Sequence, residues 1–313
     1  MSLKNTIVHL ALQAPFIGKH LRLYREYKNI PFAPGHYYSV IPDIDSVETN
    51  EARIYGNETI PCIDLRPEAQ LQLVKELQPY YDTIPYRFDD HEANDALPFR
   101  YKMKDAFYRN SDAIFLHGMM RHFAPKRIIE VGSGHSSAIM LDTNEHFMNG
   151  SVQLHFIEPF PEERLLPALR KEDRDGCIIL KNFIQDVELE RFDTLEANDI
   201  LFVDSSHVSK IDSDVNHIFF NILPRLRPGV LIHFHDIFFP FELPKTWVTG
   251  RKWFWNENYL LRAFLMNNPD YEILLFNDFL HKKYNSWFLQ NMPHCLIDAE
   301  NTGSIWIRKK AAS

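Results

Sequence analysis

The chain has 313 residues with 34 Lys+Arg against 42 Asp+Glu, a formal charge of −8, which argues against nucleic acid as the main partner because phosphate binding needs a basic face. Apolar residues at 45% and charged residues at 24% match an ordinary globular protein and exclude the disordered and fibrous classes. Only 11 glycines accompany 24 phenylalanines and 13 tyrosines, so the position of each glycine becomes informative.

Near the amino terminus, residues 7–13 are rich in apolar side chains. His9, Gln13, Lys19 and His20 interrupt them and no small-residue cleavage site follows, so no signal peptide is expected. Nowhere do ~18 consecutive apolar residues occur, and no membrane span is expected. Cys62, Cys177 and Cys295 lie more than 110 residues apart, which fits neither a disulfide framework nor paired zinc ligands. A reducing, cytoplasmic setting is the expectation.

The first hundred residues are broken by Pro31, Pro34, Pro42, Pro61, Pro67, Pro79, Pro85 and Pro98 and predict an accessory region, residues 1–109. A helix is expected to begin near Pro67, burying Leu71, Val74 and Leu77. A second, over residues 111–123, leads into the main domain, residues 110–313.

From residue 125 onward, short apolar runs alternate with segments of helical period. The strand candidates are residues 127–131, 154–158, 177–180, 200–204, 230–234, 271–276 and 304–308. Helices are expected over residues 136–147, 161–169 and 256–265. Val215, Ile218, Phe219, Ile222, Leu223 and Leu226 form one more apolar stripe before the Pro228-Gly229 turn. The fold class is α/β: a doubly wound, seven-stranded, mostly parallel, Rossmann-like sheet with helical crossovers.

The first strand runs into Glu130-Val131-Gly132-Ser133-Gly134-His135-Ser136-Ser137, a tight turn whose glycines let a ligand approach the backbone. Glu158 closes the second strand 28 residues after Glu130, where a carboxylate can accept both ribose hydroxyls of a nucleoside. Asp204-Ser205-Ser206-His207 ends the fourth strand and His233-Phe234-His235-Asp236 the fifth. Polar groups thus gather at the carboxyl edge, where open α/β sheets bind ligands. His233 shares a face with His235 but reads as a core histidine.

In the order Glu130-Val131-Gly132-Ser133-Gly134, Ile157-Glu158-Pro159, Phe202-Val203-Asp204 and Pro228-Gly229, the chain resembles class I S-adenosylmethionine-dependent methyltransferases over roughly residues 110–313. The resemblance implies a closing antiparallel strand pair. It also places the cofactor's methionine and sulfonium near Gly132, Ser133, Gly134 and Ser136, and its ribose on Glu158. Ser136 stands where the family's third glycine falls.

More narrowly, the chain resembles the metal-dependent catechol-type and group-24 O-methyltransferases. Ile184-Gln185-Asp186-Val187 looks like their adenine-side turn, with Gln185 on the base. Asp204 falls where they hold a divalent cation and contact the cofactor, and His235-Asp236 where the remaining ligands stand. His207 replaces a lysine that takes the acceptor's proton, a role open to an imidazole of ordinary pKa ~6.5. Because His235 stands in place of an oxygen ligand, the identity of the metal stays open, as does whether one is bound.

The reaction implied is methyl transfer to a small-molecule acceptor, most plausibly at oxygen. Lid aromatics are expected among His36-Tyr37-Tyr38, residues 101–108, and Phe238-Phe239-Pro240-Phe241 with Trp247, Trp253 and Trp255; core packing is the alternative. Two other classes compete: an iron oxygenase on the same fold using Asp204, His207 and His235, and a non-catalytic cofactor-binding module. The acceptor and the oligomeric state are not legible.

Overall fold

Residues 31–56, 59–104 and 106–311 are described by the structure, a computed structural model. The amino-terminal run considered for a signal peptide lies outside them, as does Asp105 of the 101–108 stretch. Among the described residues, no helix is long and apolar enough to cross a membrane.

The elements that position the edge are α1 (Pro67–Tyr81), α2 (Ser111–Phe123), β1 (Arg127–Val131), α3 (His135–Phe147), β2 (Gln153–Ile157), β3 (Ile178–Leu180) and β4 (Ile200–Val203). They continue with α4 (Asp214–His217), β5 (Leu231–His235), α5 (Glu257–Leu265), β6 (Tyr271–Phe276), α6 (Asn277–Lys283), α7 (Asn285–Asn291) and β7 (Ser304–Lys309). One sheet of order β3-β2-β1-β4-β5-β7-β6 results. β1 to β5 are mutually parallel, and β7 is antiparallel to both β5 and β6. β4 and β5 are buried along their whole length, which is why their sequences are nearly unbroken apolar runs rather than alternating ones.

All seven strand candidates form strands, with ends shifted by at most one residue. The helices depart more. Residues 161–169 give only the short turn Leu165–Ala168, because Pro167 has no N–H to continue the ladder. The connection from β3 to β4 runs through tight 3-10 turns, Ile184–Asp186 and Leu189–Thr194, so that crossover is not an α-helix. The stripe from Val215 to Leu226 is buried as expected, but α4 widens into a π-turn over Ile218–Ile222 and then tightens over Leu223–Arg225. Pro224 cannot donate to the carbonyl four residues back, so the regular ladder cannot pass it.

α1 buries Leu73 with Val74 and Leu77, while Leu71 is half-buried. It packs on α2 and β6, and Tyr86, Phe88 and Tyr101 join the same apolar core as the sheet. Arg100, itself nearly buried, ties this amino-terminal part to the main sheet layer, donating to Asp142 on α3 at 2.9 Å and to Asp173 at 2.7 Å. Tyr86, Phe88 and Tyr101 thus share the core of the sheet.

His281 on α6 sits between Phe115 and Phe288, and neither ring nitrogen has a hydrogen-bond partner. Burial, with Lys282 beside it, pushes the ring down to about 3 from its ordinary 6.5. Between those values the unfolded chain binds a proton there that the folded chain does not. Stability present above pH 6.5 is therefore lost as pH falls, at about 1.4 kcal/mol per pH unit. His281→Phe is expected to flatten the slope of unfolding free energy against pH by about that amount between roughly pH 6 and 4, read by urea denaturation. An unchanged slope would mean that the buried ring already carries its proton.

Candidate active site

β1 and β4 lie side by side at the point where strand order reverses, and their carboxyl ends open onto one edge. Gly132, leaving β1, has φ +81°, and a Cβ built on it would stand 1.8 Å from the carbonyl oxygen of Asp204. The glycine is demanded by the close passage of β1 past β4. Gly134 is different: its backbone is extended, and an added Cβ would meet only the Arg164 side chain at 3.4 Å. No backbone contact demands a glycine at Gly134.

Glu130 faces inward. It is fully buried and accepts from the hydroxyls of Ser136 and Ser137 at the start of α3, while burial pushes its carboxyl up to about 8 against those hydrogen bonds. Glu130 and Ser136 therefore lock the turn from behind. Glu158 reaches the turn from the front. Its Oε2 accepts from the Ser133 amide at 3.2 Å and its Oε1 from the Phe160 amide at 2.8 Å.

Ile184 is buried, and Gln185 donates to the Asp212 carbonyl at 2.7 Å while its buried Oε1 has no partner. Two aromatics that the sequence reading overlooked flank this side. Phe160 and Phe183 are 55% and 53% exposed, with ring centroids 5.8 Å apart. Their signal was position alone, one just past Glu158 and one just before Ile184.

The other half of the edge brings Asp204, His207 and His235 together, with one donor atom from each lying within 4.8 Å of the others. His207 Nε2 and His235 Nδ1 each stand 3.3 Å from Asp204 Oδ1. Asp236 stands beside them, its carboxylate 3.6 Å from His235 Nε2 and 3.5 Å from His207 Nε2.

Glu257 and Asp112, neither singled out from sequence, complete the cluster. Glu257 in the first turn of α5 holds His207 Nδ1 at 2.9 Å, and Asp112 in the first turn of α2 stands 3.6 Å from His235 Nε2. In sequence both look like ordinary helix-start acids. Asp214 and Asn216 bond Ser206, Ser209 and the Lys210 carbonyl instead of His207.

Burial acts against charge on every member, and the neighbours decide the outcome. Hydrogen bonds to Asp204 and Glu257 overcome desolvation and push His207 up to about 10, and Asp236 and Asp204 raise His235 well above its usual range. The two imidazoles in turn hold Asp204 well below the usual carboxylate range. The carboxylates on both sides of the His207 ring thus favour its protonated form. His233 is a core histidine, stacked 4.0 Å from Phe202, with both nitrogens unpartnered.

Of the expected lid aromatics, Tyr101, Tyr108, Phe238, Phe239 and Phe241 are buried in the core. Tyr108 lies 4.9 Å from His235, and Trp255 lies 4.6 Å from His207. Tyr37 and Tyr38 are exposed.

A family model described as a methyltransferase domain, of group 24, matches residues 129–237. The span runs from β1 to the residue after Asp236, so it contains the turn, Glu158, Asp204 and the histidine cluster. An uncharacterised protein of Archaeoglobus fulgidus is 35% identical over 176 residues, covering 53% of this chain and 75% of the relative. Residues 129–237 are thus a methyltransferase domain.

Among solved structures this methyltransferase is similar to Podospora anserina methyltransferase PaMTH1 bound to SAH. The two are 17% identical with a TM-score of 0.42, covering 87% of this chain and 99% of the other. It is also similar to the O-methyltransferase TomG of Streptomyces achromogenes, involved in tomaymycin synthesis and solved with SAM. That likeness is 16% identical with a TM-score of 0.42, covering 85% and 96%. Likenesses this distant bring no residue roles with them. The roles at this methyltransferase's edge rest on its own geometry.

Proposed function

We propose that this methyltransferase moves the methyl group of S-adenosylmethionine to a hydroxyl oxygen of a small-molecule acceptor held at the ends of β4 and β5. The observation that carries the reading is the division of one sheet edge into two halves. One half is framed by Gly134, Glu158, Phe160, Phe183 and Gln185, and a charged half is built from Asp204, His207 and His235. The unpartnered Gln185 Oε1 suits an adenine amino group, and Glu158 has two oxygens for two ribose hydroxyls. When bound, the cofactor supplies an electrophilic methyl carbon on a sulfonium.

The chain then has three tasks. It holds the acceptor in line, excludes water, and manages one proton. Asp204 and His207 are the residues we assign to contact the acceptor oxygen. With no ion bound, His207, fixed by Glu257 at Nδ1, donates from Nε2, and its charge favours the oxyanion as the hydroxyl proton leaves to the flanking carboxylates. The donor set of Asp204, His207 and His235 also fits a divalent cation, which would lower the hydroxyl pKa of an oxygen placed against it.

Calorimetric titration with S-adenosylmethionine and its demethylated product is expected to give micromolar binding. Phe160→Ala and Phe183→Ala are each expected to weaken it about 10-fold, the order of one lost base–aromatic stack. If neither ligand binds, the reading fails. The two-imidazole, one-carboxylate set keeps the iron oxygenase as a second reading, which binding of ferrous iron with 2-oxoglutarate in place of S-adenosylmethionine would favour.

A further inference from the structure

We infer that a second cleft, formed by β1, β2 and the 3-10 turn Leu189–Thr194, binds a phosphorylated sugar or polyol, with Arg127 and Arg191 taking the phosphate. The cleft is separate from the carboxyl edge, and the inference does not rest on the methyltransferase reading of that edge.

The cleft has a volume of about 380 Å3, that of a small-molecule site rather than of a bare ion, and is lined by Arg127, His155, Glu188, Glu190, Arg191 and Thr194. Arg127 opens β1 opposite Gln153, and Ile129 stands opposite His155, so Arg127 and His155 share one face of the sheet. Glu130, out of step with them by one, points to the other face and α3. Four residue steps of about 3.3 Å set Arg127 roughly 13 Å back from Val131 at the carboxyl edge. Phe192 in the turn and Leu195 just after it are fully buried, so the turn is pinned over the sheet.

Two guanidiniums stand here without counter-ions. Arg127 donates from Nε and Nη2 to Gln153 Oε1 at 3.2 and 2.9 Å and from Nη1 to the Thr194 carbonyl at 2.6 Å, all neutral acceptors. Arg191 Nη1 stands 3.4 Å from His155 Nδ1, and Arg191 Nε is buried with no hydrogen-bond partner. Among the described residues neither guanidinium forms an ion pair. The neighbouring acids are engaged elsewhere: Asp193 and Glu190 face Arg225 at 2.9 and 3.6 Å, and Asp199 accepts from the amides of Lys126, Arg127 and Glu196. An arginine cannot shed its charge, so a buried N–H without an acceptor is costly until an anion supplies one.

His155 adds to this. It is 7% exposed, and because a guanidinium only donates, the ring must offer Arg191 a bare Nδ1. Burial, with Arg191 and Arg127 beside it, pushes the ring down to about 4 from its ordinary 6.5, as befits surroundings dominated by positive charge.

Charge and shape set the class of ligand. Two guanidinium forks match the dianion of a phosphate monoester, whose tetrahedral oxygens can meet both, whereas a carboxylate brings one charge and two coplanar oxygens. Glu188 and Glu190 are exposed at the rim, where carboxylates accept from the hydroxyls of a sugar or polyol and repel a second anionic group.

The test is calorimetric titration of the full chain, in phosphate-free buffer near neutral pH, with ribose 5-phosphate, inorganic phosphate and ribose. One ribose 5-phosphate per chain is expected, bound about 10-fold or more tighter than inorganic phosphate, with no binding of ribose. Arg191→Ala removes no ion pair and is expected to melt within about 2 °C of wild type while weakening ribose 5-phosphate about 10- to 100-fold, the loss of hydrogen bonds to a charged group. Arg191→Lys, which keeps the charge but not the fork, is expected to weaken it about 10-fold, and Arg127→Gln by a factor similar to Arg191→Ala. Glu158→Ala is expected to bind ribose 5-phosphate as wild type does. Wild-type protein that does not bind it, or Arg191→Ala and Arg127→Gln proteins that bind it unchanged, overturn the proposal. Loss of binding in Glu158→Ala overturns it as well, by placing the ligand at the carboxyl edge. Equal affinity for inorganic phosphate overturns the sugar or polyol part, and equal affinity for ribose overturns the role of the phosphate.

Discussion

Glu158→Ala is expected to weaken binding of S-adenosylmethionine, and of its demethylated product, by about 100-fold or more. The carboxylate spans two turns, with Oε2 on the Ser133 amide after β1 and Oε1 on the Phe160 amide after β2. Its two oxygens are therefore fixed, and in the proposed reading they accept the two ribose hydroxyls. Each hydrogen bond to a charged group contributes about 1.5–3 kcal/mol, and two lost together correspond to that fall in affinity. Glu158→Gln keeps one oxygen acceptor and is expected to fall about 10-fold. Calorimetry measures both, with thermal unfolding as a control. An Ala variant that binds like wild type would remove Glu158 from the cofactor site.

Gly132→Ala is expected to damage the fold rather than the affinity alone. The position has φ +81°, a conformation that costs an L-residue about 1–2 kcal/mol. The added methyl would also meet the Asp204 carbonyl oxygen at 1.8 Å, and that atom is backbone, so β1 and β4 must separate at their ends. Separation strains the bond from the Asp204 amide to the Val131 carbonyl, now 2.9 Å, and displaces the Asp204 side chain from both imidazoles. Adding overpacking of about 1–3 kcal/mol gives a total near 2–5 kcal/mol, or a melting temperature lower by roughly 4–20 °C. Gly134→Ala, with no such contact, is expected to melt within about 2 °C of wild type. Equal melting temperatures for the two variants would contradict the different duties assigned to these glycines.

The strands were legible because a parallel sheet covered on both faces needs unbroken apolar runs, and Ile200–Val203 and Leu231–His235 are such runs. The crossovers were less so. Helical period was read across residues 161–169, but Pro167 limits the helix to one turn, and the β3–β4 connection is too short of apolar stripe to be more than 3-10 turns. Leu71 and Leu73 are two residues apart in α1, and the packing of α1 on both α2 and β6 chose Leu73. Glu158, Asp204 and His235 come to one sheet edge because they stand at strand ends, where position along the chain predicts position in space.

The sequence by itself determined the sheet, the family and the edge on which polar residues gather, since these follow from local pattern and from the order of short motifs along one chain. It could not determine which nitrogen of His207 or His235 faces Asp204, that Asp236 stands beside both rings, or that Glu257 and Asp112 stand at the back of the two rings. Nor could it separate Gly132, which clears a neighbouring strand, from Gly134, which meets only the Arg164 side chain. Those were decided by tertiary structure, because each depends on the distance between segments far apart in sequence, brought within a few ångströms only when β1, β4, β5, α2 and α5 pack around one edge.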